Sequence, residues 1–486
     1  MLASRTTLSR ETGNLKIRAN TMMVSDNWPS GNTMLPDLLR TTPEVRPVLD
    51  QYGLRGCGGR FGPAETIEFF SRAHDVQLSQ LLDEIREAIQ LRADTQPHSP
   101  AIADCTADTI YRPFFKAGIA VVLTLGGACG ALLLLRIAWL GDFSALSIHE
   151  VNAHGHAQIF GWVGLFVMGF AYQAFPRFKH MSLSNPKLAY ASFWMMLVGL
   201  VTRSIAQGLM NWAPWLGAVG ILASVVEILA IGMMLFVILS TLRHSSRRLE
   251  AYDYYILAAL GWFFVQAVGG TAYFAATLLA ADRHALLALV ATWQAPLREI
   301  QIHGFATLMI LGVSQRLFHF FYGLPRPNAR KSFAVLSVFN AALVGMVLGF
   351  VLMRTSGHAW AGLWYLSILV LTTAVAYLVS DWKLFSPPEE TDRSLKFLRT
   401  AYVWLFVSLL MLVLLPVHQL LILPWLAPQS SAATIGFSHA YYGAIRHAIT
   451  VGFISFMIVG VAAKVVPTYY ESGVSTDPEL LGLSDS

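Results

Sequence analysis

The sequence predicts an all-α protein: a polytopic membrane helix bundle of about ten helices, preceded by a small soluble helical domain. Three observations carry that expectation. Of 486 residues, 55% are hydrophobic and only 13% charged, with a mean hydropathy of +0.53, which a water-soluble domain does not tolerate. Apolar runs long enough to span a bilayer follow one another from Pro113 onward. Three of these runs share a pattern. The second reads His156, Gly161, Gly169, Pro176 and the last reads His447, Gly452, Gly460, Pro467, with offsets of 5, 13 and 20 from the histidine in both. The sixth keeps Gly304 and Gly312 at the same mutual spacing, with His303 one residue before the first glycine.

Along the chain, residues 1–32 are polar and are expected to be disordered. Residues 33–93 read as a small helical domain. Thr42-Pro43-Glu44 has the N-cap, N1 proline and early acid of a helix start. A turn is expected from Gly53 to Gly62, with Cys57 at its centre. Helical stretches follow near Pro63–His74 and Leu78–Leu91, the latter with Leu78, Leu81, Leu82, Ile85 and Ile89 on one face. Residues 94–111 read as a linker, 112–470 as the membrane domain and 471–486 as a tail. The ten runs lie near 116–139, 153–177, 186–208, 214–241, 252–280, 299–322, 332–354, 358–380, 398–428 and 442–467. Ala285–Ala295 is apolar but short, as in a surface or re-entrant helix.

Basic residues mark one side of the bundle. Arg177, Lys179, Lys187, Arg243, Arg247, Arg248, Arg326, Arg330, Lys331, Lys383, Arg393, Lys396 and Arg399 follow the even-numbered runs. The opposite loops hold little more than Arg283, Arg298 and Arg354. The positive-inside rule then places both termini in the cytoplasm and the histidine ends of runs two, six and ten outside. The net charge of +5 is modest and does not point to nucleic acid. Cys57, Cys105 and Cys129 are too few and scattered for a disulfide framework. The first thirty residues hold no apolar stretch of signal-peptide length.

A period of four helices makes runs two, six and ten equivalent, in three parallel repeats about an axis along the membrane normal. Histidine is costly inside a bilayer, so imidazoles in register need partners, and a metal is one that suits neutral imidazole. His154 and His156 point about 200° apart on a regular helix and would serve different sites. His447 aligns with His156. His303 lies one turn deeper than the aligned Glu299. Arg298 and Arg446 align with each other, and cations there would neutralise haem propionates. His418 and His439 are further ligand candidates. The blander readings are that a histidine at a helix end caps or hydrogen-bonds, and that the glycines serve close helix packing. His149, His180, His244, His284, His319 and His358, near loops or helix ends, read that way.

The stretch from His154 to Gly164, His-Gly-His-Ala-Gln-Ile-Phe-Gly-Trp-Val-Gly, resembles the His-x-His haem-ligand helix of haem-copper oxidases and nitric oxide reductases. It also looks like the His-x-His-x-x-x-x-Gly motif of the NnrS family. Arg446-His447-Ala-Ile-Thr450-Val-Gly452, with Met457, is similar to the closing segment of NnrS proteins. The resemblance covers about residues 110–470. An oxidase would carry adjacent copper-binding histidines after run six, and Ser332–Arg354 has none; residue 307 is threonine where an oxidase has the tyrosine of its histidine–tyrosine pair. NnrS is therefore the better match. Pro43 to Gly59, around Cys57, resembles the N-terminal domain of ScdA-type iron–sulfur repair proteins, with Cys57 as a redox or ligand thiol.

The NnrS resemblance implies a haem protein of the bacterial inner membrane, with a b-type haem, in nitric oxide tolerance or denitrification. His156 and His447 are the expected axial ligands. His154 and His303 would serve a second haem or a metal such as copper, open to nitric oxide or oxygen. An enzyme, a divergent terminal oxidase or nitric oxide reductase fed by an electron donor, is the second reading. A cofactor-free transporter or scaffold is the third.

Overall fold

The computed structural model describes residues 28–54, 61–92, 109–142, 145–245, 247–387, 393–430 and 438–469. Cys57, Cys105, most of the expected linker and the tail lie outside them. The N-terminal helical unit holds α1 (Leu35–Thr41), α2 (Arg46–Gln51), α3 (Ile67–Ala73) and α4 (Leu78–Arg92). Leu35, Leu39, Leu49, Ile67, Phe70, Leu81 and Ile85 form its core, so the predicted stripe of α4 does face inward. Two details differ from expectation. Thr42 closes α1, its hydroxyl donating to Leu38 O, and Pro43–Val45 forms a 3-10 turn before α2. Helix α3 starts at Ile67 because Thr66 caps it, its hydroxyl accepting from Phe69 N, while Met34 and Thr66 form an antiparallel bridge.

The membrane part continues as α5 (Tyr111–Leu140), α6 (Ile148–Phe178), α7 (Pro186–Leu209), α8 (Leu216–Arg243), α9 (Ala251–Leu278), α10 (283–322), α11 (Ala329–Thr355), α12 (His358–Asp381), α13 (Arg393–Val413) and α14 (439–469). Among the described residues, nine of these helices are long and apolar enough to cross a membrane. The sixth expected run, 299–322, is helical but buried along most of its length. It carries Gln301, His303, Thr307, Gln315 and Arg316 against other helices, and so need not be apolar. Ala285–Ala295 is not a separate helix. It is the start of α10, capped by Asp282 and continuous with the buried part. After α13 the chain breaks at Leu414 and resumes as Leu415–Leu426, where Pro416 and Pro424 interrupt regular hydrogen bonding.

The repeat is visible in the backbone. Helices α6, α10 and α14 each switch to π-helix for eight residues, at Ala157–Gly164, Ile300–Thr307 and Ala448–Ser455. The three stretches are in register, with Gly161, Gly304 and Gly452 fifth in each. In each repeat the preceding helix fills the space beside the glycines. A β-carbon on Gly161 would lie 2.3 Å from Val121 of α5, on Gly304 3.0 Å from Trp262 of α9, and on Gly452 2.5 Å from Trp404 of α13. The second glycines, Gly169, Gly312 and Gly460, abut Phe114, Ile256 and Leu398 of the same three helices. Helices α7 with α8, and α11 with α12, pair likewise at equivalent positions. The close-packing reading of the glycines is therefore correct.

The N-terminal helical unit sits at the bundle end opposite the histidines. The guanidinium of Arg177 donates to His74 Nε2 at 3.0 Å and Glu65 at 2.9 Å, all three side chains buried. His180 Nε2 donates to His74 O, Arg316 donates to Ala73 O, and Phe69 stacks on Phe321. Because it accepts from Arg177, His74 must be neutral. Burial, and then the charges of Arg177, His180, Arg316 and Arg247, lower its pKa well below 6.5. Burial, helped by Arg247, lowers His180 to about 4.

Two predictions follow from this packing. Gly161→Val or Gly452→Val forces atoms into occupied space and should cost about 1–3 kcal/mol or more. Gly261→Ala, with nothing within 4 Å of the new carbon, should be neutral or stabilising in the same thermal melts in detergent. For the junction, both imidazoles bind protons more readily when released. Its stability is thus full above pH 6.5 and is lost as pH falls through their lowered folded values. Hydrogen exchange should show residues 61–92 opening faster at pH 5 than at pH 7.5, and much less so after Arg177→Met with His74→Leu.

Candidate functional site

The three π stretches converge at the end where α6, α10 and α14 begin. A capping box at Ser147 and Glu150 starts α6, and Ser438 starts α14, each cap ten residues ahead of its π stretch. Trp162 Nε1 donates to Ser455 Oγ at 3.1 Å, tying α6 to α14. Arg446 donates to Glu299 at 2.8 Å, tying α14 to α10. Arg298 donates to Asn152 at 3.1 Å, tying α10 to α6.

The two histidines of α6 face different neighbours, as helical geometry requires. His156 is buried, and its Nε2 lies 2.9 and 3.1 Å from the Glu227 carboxylate oxygens of α8. Arg203 of α7 reaches the same carboxylate at 3.5 Å. His154 turns to α5, its Nδ1 3.0 Å from Gly126 O and its ring against Gly130, where a β-carbon would lie 2.5 Å from Cε1. His447 is exposed, its Nδ1 2.8 Å from Gly443 O one turn back. A carbonyl only accepts, so Nδ1 carries the proton in both rings and Nε2 keeps its lone pair.

His303 is buried with Nε2 3.3 Å from Glu299, and its Nδ1 has no hydrogen-bond partner. Arg446 also stacks on and donates to Tyr442. Arg298 donates to Gln301 at 2.8 Å as well as to Asn152. His418 stacks on Tyr441 at 3.8 Å between ring centres and has an unpartnered Nδ1. The side chain of His439, and Cys57 altogether, lie outside the described residues. Among the described residues no group of three or more His, Cys, Asp or Glu is placed to hold a metal ion. A haem needs only one or two imidazoles, so that finding bears on a protein-ligated metal alone.

The arrangement is thus two buried Arg–Glu–His triads, Arg203–Glu227–His156 and Arg446–Glu299–His303, beside a histidine pair with free Nε2 atoms. Glu227 and Arg203 were not among the residues singled out from sequence. The signal existed: each is the one ionised side chain in the middle of an otherwise apolar helix. The Arg298–Gln301–Asn152 link was beyond reach, because it depends on how α6 and α10 face each other.

These features define a multi-pass α-helical membrane protein whose repeated helices gather histidine, arginine and glutamate in one polar layer. Residues 108–468 match the model of the family described as NnrS protein, and the chain belongs to the NnrS family. No curated protein matches it.

Removing one member of a buried triad strands a charge. Glu227→Gln should cost about 3–5 kcal/mol, and Arg203→Met added to it should restore most of that loss. Thermal melts of the single and double variants check this; equal damage in both would contradict the pairing.

Proposed function

We propose that this chain is a haem-binding protein of the bacterial inner membrane, with both termini cytoplasmic, acting in nitric oxide tolerance. The observation that carries the proposal is the pair His154 and His447. Each Nδ1 is fixed on a backbone carbonyl, each Nε2 is left to ligate, and the two stand at the same end of α6 and α14, which Trp162 and Ser455 tie together. Such a carbonyl contact is the usual way a ligating imidazole is oriented. Gly130 of α5 makes room for the His154 ring, and Gln158 of α6 packs on Gly126 beside it. The axial assignment therefore moves from His156 to His154, because a nitrogen facing a carboxylate carries a proton and is no ligand. Arg446 and Arg298 lie on the helices around this pair, as neutralising cations for haem carboxylates would.

When bound, a haem supplies an iron whose oxidation state and axial positions govern electron transfer and gas binding. The residues fix what surrounds it. Gly126 O and Gly443 O orient the rings. The Glu227 and Glu299 triads hold charge in place within the bilayer. Trp162 and Ser455 set the spacing of α6 and α14. His154 and His447 would hold the haem, and His447, the exposed member, is the side on which a small gas such as nitric oxide or oxygen would have access. His303, with Glu299 and an unpartnered Nδ1, remains the place for a second centre. Copper is not part of the proposal, since the described residues bring no third ligand to it.

The absorption spectrum of detergent-purified protein tests this. His154→Ala and His447→Ala should each abolish the low-spin reduced haem bands, while His156→Ala should keep them. Unchanged bands in both of the first two variants would remove the assignment.

A further inference from the structure

Beside the first triad, α6, α7, α9 and α10 enclose a cavity of about 40 Å3, enough for a few waters. Its walls include Arg203, Arg298, His156 and Tyr273, with amides from Asn152, Gln207, Gln266, Gln294 and Gln301. Among the described residues no carboxylate lines it, and Glu227 is paired with His156 and Arg203. Among the described residues, four buried polar atoms of its walls, Arg203 Nε, Gln207 Oε1, Gln266 Oε1 and Tyr273 Oη, have no hydrogen-bond partner. Arg298 has no carboxylate partner, only the neutral oxygens of Asn152 and Gln301. Arg203, Arg298 and Arg446 carry three positive charges against two on Glu227 and Glu299.

We infer that this cavity is a binding site for one small inorganic monoanion, of the size of chloride or nitrite. A uncompensated positive charge in a membrane interior calls for a counter-ion, and one monoanion balances the count. Guanidinium and amide N–H groups are the donors such an anion needs. The glutamine oxygens do not oppose this: each amide rotates to present its NH2, an exchange of nearly isosteric ends. Phe160, Phe274 and Leu297 close the remaining walls and limit the occupant to a compact ion. Neither His154 nor His447 lines it, but Arg298 is common to this cavity and to the haem reading, so haem loading tells the two roles apart.

The test uses the full chain in detergent, in gluconate buffer, with sodium chloride, bromide or nitrite added. Saturable thermal stabilisation is expected with all three and not with gluconate. Gln207→Glu, which puts a carboxylate into the cavity, should weaken binding at least roughly tenfold, and Arg298→Gln likewise. Bromide-soaked crystals of the unaltered protein should show anomalous density within hydrogen-bond distance of Arg298, a readout independent of whether the variants fold. No saturable effect and no bromide density would overturn the inference. So would anion binding that disappears when haem is loaded, because Arg298 would then belong to a haem carboxylate.

Discussion

Buried ion pairing is the constraint on which the bundle rests. A membrane interior offers no water to an ionised side chain, so each charge must find its partner within the protein. Here Glu227 joins α8 to both α6 and α7, and Glu299 joins α10 to α14. The two carboxylates occupy comparable roles in successive repeats, each held between an arginine and an imidazole. The pairs are not large sources of net stability, since desolvation consumes most of the Coulombic gain. They act by exclusion: any rotation of α6 or α14 that parts them leaves a bare charge in the bilayer.

The π stretches sit where that constraint and close packing meet. An extra residue per turn changes which face a helix presents, and such insertions recur at functional sites. In α6, α10 and α14 the insertion begins one residue after His156, Glu299 and His447. His156, Glu299 and His447 thus end the regular turn before the insertion, the first packed glycine of each helix lies inside it, and Gly169, Gly312 and Gly460 lie beyond it. The glycines then let α5, α9 and α13 approach at the same level in each repeat, which keeps the three polar ends at one height.

Much of this was readable from sequence because it is local. Glycine spacing, apolar runs and the four-helix period are properties of single helices or their repetition, and they reappear as Val121, Trp262 and Trp404 packing on Gly161, Gly304 and Gly452. The divergence of His154 and His156 followed from helical geometry alone. The partners did not. Glu227 lies 71 positions from His156 in sequence, and which face α8 turns toward α6 is decided by global packing. The π geometry was equally hidden, because it answers to tertiary packing rather than propensity. Run 299–322 reads from sequence as one more apolar run long enough to span, and its neighbours enclose it, which is why its polar residues are tolerated.

At the other end, Arg177 connects the last turn of α6 to His74 and Glu65 of the N-terminal helical unit, so one helix carries both the histidine pair and that unit's anchor. The central claim is that α6 divides its imidazoles, His154 to an iron shared with His447 and His156 to Glu227. A cryo-EM map of the purified protein tests it directly. The account predicts planar macrocycle density between the Nε2 atoms of His154 and His447, with the His156 ring still against Glu227. A macrocycle ligated by His156, or imidazoles of His154 and His447 turned apart with continuous lipid between them, would contradict it.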